Sequence, residues 1–89
     1  MQIVFIVYGE NVPVECAQWM SLGTARSWAL EDSRNTGRPE EDWDLRDANG
    51  TYLDPSRKIA DYRFPDGVRI FASIRVGAGG SMRAIGIAA

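Results

Sequence analysis

Val68-Arg69-Ile70-Phe71-Ala72-Ser73-Ile74-Arg75-Val76 runs straight into Gly77-Ala78-Gly79-Gly80, and this junction decides how the rest of the chain is read. Val68, Ile70, Ala72, Ile74 and Val76 fall on alternate positions, the period of a strand with one buried face. Arg69, Phe71, Ser73 and Arg75 take the other face. At the opposite end of the chain, Gln2-Ile3-Val4-Phe5-Ile6-Val7-Tyr8 is apolar almost throughout and rich in β-branched residues, as expected of a strand at the centre of a sheet. The two runs are expected to pair in parallel at that centre, with the intervening residues supplying the crossover.

Those intervening residues divide at turn formers. Gly9-Glu10-Asn11 reads as a turn, and Val12-Pro13-Val14-Glu15-Cys16 as a returning strand. Pro13 has no N–H to give to a ladder, which places that strand at a sheet edge. Leu22, Ala25, Trp28 and Ala29 then recur at helical spacing, predicting a helix over residues 22–34 capped by Ser21 or Thr24. Gly37 is expected to end it in a left-handed conformation, with Pro39 preventing continuation. Glu40-Glu41-Asp42 reads as a solvated acidic loop. Trp43 and Leu45 alternate with Asp44 and Arg46 as a short strand, Asn49-Gly50 turns the chain, and Thr51-Tyr52-Leu53 returns. One helical turn between Arg57 and Phe64, and a Pro65-Asp66-Gly67 turn, complete the order β-β-α-β-β-(turn)-β. That order is an α+β arrangement: a mixed sheet of four or five strands with one helix packed across it. Residues 1–76 form the domain, 77–80 a glycine-rich tail, and 81–89 an extension.

Composition narrows the function. The net charge is −2 and the arginines are interleaved with acids, so no basic stripe for nucleic acid emerges. With no histidine and a single cysteine, metal ligation and the commonest general base are both missing, so neither a cofactor nor an enzymatic activity is expected. No apolar run approaches the roughly 20 residues of a membrane span. The opening residues lack the basic and small-residue signature of a secretory signal, and Cys16 has no disulfide partner, so the cytoplasm is the expected compartment.

Five stretches, taken in order, resemble the ubiquitin family of β-grasp modifiers. They are Met1-Gln2-Ile3 opening the first strand, Gly37-Arg38-Pro39 at the helix exit, Asp47 to Leu53 as a hairpin, Ser56-Arg57-Lys58-Ile59-Ala60-Asp61-Tyr62 as a turn, and the terminal Gly79-Gly80. The resemblance covers residues 1–80 and implies that the hydroxyl of Tyr62 anchors its loop to backbone. Two departures separate the chain from ubiquitin itself: Arg46 stands near the place of an isoleucine in the main recognition patch, and Lys58 is the only lysine. The sequence is more similar to bacterial ubiquitin-like proteins encoded beside activating-enzyme, conjugating-enzyme and peptidase-like genes.

What the resemblance implies is a chemistry carried by the tail. A modifier is adenylated at its C-terminal carboxylate by an ATP-dependent activating enzyme, passed through a conjugating enzyme, and joined to target proteins. Gly77, Ala78, Gly79 and Gly80 suit a tail that must thread a narrow channel, since side chains would clash there. Gly80 is followed by Ser81, so a processing peptidase would first have to cut between them; the same class of enzyme would later remove the modifier. Two other functions share the fold: a sulfur carrier of the thiamine or molybdopterin type, and an interaction domain that is never conjugated. The plain alternative for residues 81–89 is an incidental tail, or a segment whose Met82, Ile85 and Ile87 dock on a neighbour.

The remaining residues carry smaller expectations. Val4, Ile6, Arg69, Phe71 and Arg75 form a possible apolar and basic docking surface for the enzymes. Lys58, or the Met1 amine, is the possible acceptor for chains. Trp19, Trp28 and Trp43 are expected to pack in the core and at its edges, with Trp28 under the helix. Cys16 is expected to be an inert thiol. Self-association through the Pro13 edge strand or through the tail stays open.

Overall fold

The two apolar runs become neighbours. The computed structural model describes residues 1–75, in which β1 (Gln2–Val7), β2 (Glu10–Glu15), β3 (Trp43–Arg46), β4 (Tyr52–Leu53) and β5 (Val68–Ile74) form one five-stranded sheet. The order across it is β2-β1-β5-β3-β4, with β1 and β5 parallel at the centre and the other pairs antiparallel. Helix α1 (Leu22–Asp32) crosses one face, and a single turn, α2 (Ile59–Tyr62), closes the loop before β5. This is the β-grasp fold, α+β with a mixed sheet and one main helix. Among the described residues no helix is long and apolar enough to cross a membrane.

The core lies between α1 and the sheet. Ile3, Phe5 and Val7 of β1 and Ile70 and Ala72 of β5 point into it, joined by Val12 and Val14 from β2 and Leu45 from β3. The Pro13 strand is an edge, as its missing donor requires.

The details depart from the sequence reading at the first hairpin turn and at the end of α1, and at the start of α1 they choose between its two candidates. The hairpin turn is tighter than Gly9-Glu10-Asn11: Tyr8 and Gly9 both take positive φ (51° and 78°), so β2 already begins at Glu10 opposite Val7. The α1 start is Ser21, whose Oγ accepts from the Thr24 N–H at 3.2 Å. The α1 stop is not Gly37 but Arg34, which takes the left-handed conformation (φ 61°). Arg34 donates its N–H to the Glu31 carbonyl at 3.0 Å and Asn35 donates to the Leu30 carbonyl at 2.8 Å, the paired bonds of a Schellman ending. Arginine bears a Cβ strain there that glycine would not. Arg34→Gly is therefore expected to stabilise the protein by about 0.5–1 kcal/mol despite glycine's looser unfolded state. Gly37→Ala, at a position where a Cβ meets nothing within 4 Å, should be tolerated. Urea denaturation of both variants checks the contrast.

The buried stripe of α1 is Leu22, Ala25, Arg26, Ala29 and Leu30, and Trp28 is not in it. At about 100° per residue, Trp28 lies about 240° round from Leu22, so it faces outward. Trp19 is also exposed, and of the three tryptophans only Trp43 is buried. Arg26 takes a place in the stripe because its guanidinium donates to the Trp43 carbonyl at 3.1 Å, though its Nε has no partner. The acidic stretch Glu40–Asp42 is one 3-10 turn.

Tyr62 anchors the loop before α2. Its hydroxyl accepts from the Asp54 N–H at 2.6 Å and lies 3.3 Å from the Asp54 carbonyl. Tyr62→Phe leaves that N–H without its partner, and is expected to cost about 1 kcal/mol, lowering the melting temperature by about 5 °C.

Candidate interaction face and tail root

Strand register builds one continuous row on the sheet face away from α1. Asn11 of β2 stands opposite Ile6 of β1, Ile6 beside Phe71 of β5, Phe71 opposite Arg46 of β3, and Arg46 opposite Tyr52 of β4. A second row sets Pro13 beside Val4 and Val4 beside Arg69. The β1–β5 pairing thus brings Val4, Ile6, Arg69 and Phe71 together. Phe71 and Tyr52 are 37% and 66% exposed, large apolar surfaces on an open face. Ile6 departs from the expectation of an exposed patch: at the sheet centre its neighbours shield it to 8% exposure, so it forms the floor under Phe71.

Arg46 occupies the middle of the row. Its guanidinium carbon lies 5.5 Å from the centroid of the Tyr52 ring, and one of its nitrogens is 3.3 Å from the Ser73 hydroxyl. Stacking on one side and a hydrogen bond on the other fix the cation in place, leaving a positive spot between two aromatic rings. Tyr52 was missed in the sequence, although the hairpin register around Asn49-Gly50 pairs it with Arg46.

Arg75 plays a different part from Arg69. It lies one residue beyond β5, donates its backbone N–H to the Asp42 carbonyl at 2.7 Å, and sets its Nε 3.2 Å from an Asp44 carboxylate oxygen. A terminal nitrogen also donates to the Glu41 carbonyl. Its charge is paired at the margin of the face, and the backbone is held as far as Arg75, the last described residue. Tyr8 stands nearby, edge-on to Trp43 with centroids 5.3 Å apart. Gly77, Ala78, Gly79, Gly80 and Ser81, the residues of the expected cleavage and conjugation site, lie outside the described residues.

Of the two amines, Lys58 is exposed at the start of α2, while the Met1 ammonium donates to the Cys16 carbonyl at 2.8 Å and sits 3.6 Å from Glu15. An acceptor amine must be reachable and unprotonated when it attacks, and Lys58 meets the first condition better. Cys16 is buried, with its thiol 3.4 Å from the Val14 carbonyl, and burial pushes its pKa up, which keeps it protonated and unreactive near neutral pH.

Comparison with known proteins adds a family without an activity. The family described as proteins of unknown function, DUF2604, matches residues 1–80. An uncharacterized protein of Sinorhizobium fredii, y4jI, is 33% identical over 81 residues, which are 91% of this chain and 62% of that protein. The chain therefore spans a little over three fifths of that relative's length. By the extent of the match, this chain belongs to the DUF2604 family.

Proposed function

We propose that this protein is a ubiquitin-like modifier made as a precursor, cut after Gly80 and joined through that residue's carboxylate to target proteins. The observation that carries the reading is the junction at the end of the domain. A β-grasp sheet is held by Arg75 up to its last strand, the next residues are Val76 and Gly77-Ala78-Gly79-Gly80, and the family match ends at residue 80. The chemistry asks little of the domain itself. The Gly80 carboxylate attacks the α-phosphorus of ATP and pyrophosphate leaves; an enzyme thiolate then attacks the acyl carbon of the acyl-adenylate, the thioester forms and AMP leaves. The modifier contributes the acyl group and a surface by which the enzymes hold it. The cytoplasm, where ATP is present, suits this cycle.

That surface is assigned to Phe71, Tyr52 and Arg46, with Arg69 and Val4 beside them. Aromatic and arginine side chains on an open face are the residues that dominate protein interfaces when truncated. Phe71→Asp puts a charge on the row's centre without entering the core. It is expected to weaken loading by the activating enzyme at least about tenfold, with the melting temperature changed by only about a few degrees.

Intact mass of the untagged protein from its native host tests the reading directly. A species ending at Gly80, together with heavier adducts, is the expected result. A thiocarboxylate at Gly80, heavier by the difference between sulfur and oxygen, would instead identify a sulfur carrier. A chain of 89 residues and nothing else would end the modifier reading.

A further inference from the structure

At the end of the sheet where β5 begins lies a cavity of about 500 Å³ that neither the docking row nor the tail accounts for. One wall is the turn after β3, at Asp47, Ala48 and Asn49; the other is the end of α2 with the segment that follows it. The β3–β5 register explains why they meet. Arg46 pairs with Phe71, so two steps further along Ala48 falls level with Arg69. Leu53 and Val68 add apolar lining, and the half-buried rings of Tyr62 and Phe64 stack with centroids 5.0 Å apart. An apolar cavity of this size with a few polar groups around it is the common form of a binding site.

The charges around it are unbalanced. Arg63 and Arg69 both line the cavity and are exposed, and among the described residues neither is in an ion pair. The carboxylates close by are turned to backbone instead. An oxygen of Asp47, the one acid in the lining, accepts from the N–H groups of Asn49 and Thr51 at 2.9 and 3.0 Å. An Asp66 oxygen accepts from the Gln2 N–H at 2.6 Å. Two cations therefore stand at an apolar cavity with no anion answering them, in a chain whose net charge is −2.

Arg63 also stands where its backbone does not suit arginine. It takes the left-handed conformation, with φ 55°, directly after α2, where glycine or asparagine would sit with less strain. Its N–H bonds the Ala60 carbonyl at 3.3 Å, a bond that glycine would make equally well. What arginine alone brings to the position is a guanidinium beside the cavity. Backbone strain of this kind gathers at binding surfaces, where the side chain serves something other than the fold.

Both walls are fixed before anything binds. On one side, the Gly50 N–H bonds the Asp47 carbonyl and the Asp47 N–H bonds the Thr51 carbonyl, each at 3.0 Å. On the other, the Tyr62 hydroxyl holds the backbone of Asp54, and the Val68 N–H bonds the Pro65 carbonyl at 3.1 Å. The Gly67 N–H ties that segment to β1 through the Gln2 carbonyl at 2.7 Å. A cavity held in this way takes a ligand at little ordering cost to the protein.

We propose that this cavity receives an acidic peptide segment of a partner protein, with an apolar or aromatic side chain inside and carboxylates reaching Arg63 and Arg69. The lining selects that chemistry. The stacked rings, Leu53 and Val68 offer an apolar side chain a dry place, and the two guanidiniums offer carboxylates forked, charge-assisted bonds. A basic segment meets repulsion from the same two groups. Arg69 also stands beside Val4 in register, so the segment runs on from the cavity toward the docking row. The inference does not rest on the modifier reading, since an interaction domain that is never conjugated would use the cavity in the same way.

The test is an amide-resolved magnetic resonance titration of the isotope-labelled 89-residue chain. The probe is a short capped peptide with phenylalanine at its centre and aspartate and glutamate on both sides. Saturable shifts are expected at Asn49, Leu53, Phe64 and Arg69. The same peptide with asparagine and glutamine in place of the acids is expected to bind at least about tenfold more weakly. Arg69→Gln should weaken the acidic peptide about tenfold. Arg63→Gly should do so too, while the melting temperature stays level or rises by about a few degrees, because glycine relieves the left-handed backbone. That split between affinity and stability is one that a purely structural arginine would not give. The proposal is overturned by an absence of saturable shifts, by shifts centred on Phe71 and Tyr52, by equal affinity for the two peptides, or by wild-type affinity in both variants. Intact mass reads cleavage after Gly80 separately, so a chain that binds the peptide but is never cut loses only the modifier reading.

Discussion

Phe5→Ala lowers the unfolding free energy by about 3–5 kcal/mol and the melting temperature by about 15–30 °C. Phe5 is fully buried at the midpoint of β1, with Val12 of β2 on one side and Ile70 of β5 on the other. Three effects act together on its removal. The lost ring forfeits its transfer free energy, the vacated space is walled by two paired strands that cannot close over it, and the parallel β1–β5 pair loses the packing that holds it against α1. A domain of this length has a total stability on the order of 5–10 kcal/mol, so the variant sits near the edge of folding at 37 °C. Thermal and urea melts followed by far-ultraviolet circular dichroism would show it. A loss below about 1 kcal/mol would mean that the core is arranged differently from the one described here.

The same strand explains why the architecture was legible. The alternation in Val68–Ile74 and the continuous apolar run in Gln2–Val7 are different patterns, and each has one natural place: side by side at the centre, with polar or aromatic residues outward on β5. Pro13 declared an edge because a missing donor is a local property. Trp43 and Leu45 were equally clear, since two-residue alternation needs no knowledge of partners.

What failed depended on geometry that residue type does not carry. Trp28 is expected under α1 because it recurs with Leu22, Ala25 and Ala29 at near-helical spacing, whereas the angle round the helix assigns that space to Arg26 and Leu30. A buried arginine was not foreseeable, because its acceptor is a carbonyl on β3, seventeen residues away. The helix stop fell on Arg34 because the buried stripe runs out at Leu30, and whichever residue then occupies the turning position must take positive φ. Gly37 had the right chemistry three residues too late. On the sheet face away from α1, the outward positions of Val4, Arg69 and Phe71 follow from parity, but Ile6 is shielded by its neighbours and Arg46 is clamped by Tyr52 and Ser73, outcomes set by neighbouring strands. A groove lined by Trp19, Met20, Thr24 and Trp28 is not legible for a related reason: it forms between the β2–α1 connection and a face of α1, which sequence spacing treats separately.

On the modifier reading, Gly80→Asp leaves the melting temperature unchanged and removes every conjugated species. The residue stands five positions beyond Arg75, outside the described residues, and the core of the described domain is complete without it. Its effect is confined to the enzymes. A peptidase that binds the glycines in a channel meets a Cβ and a carboxylate where only backbone fits, and the bond to Ser81 survives. A second barrier follows in the activating enzyme, where the same side chain crowds the carboxylate that must reach the α-phosphorus of ATP and adds a negative charge beside the triphosphate. The two steps separate when the protein is produced ending at residue 80, so that no cut is needed. Wild-type protein of that length is then expected to form adducts, and the Gly80→Asp protein of the same length to form none. Adducts that persist in the variant would place the reactive group elsewhere, with Lys58 as the first side chain to examine, because it is the chain's only lysine and is exposed.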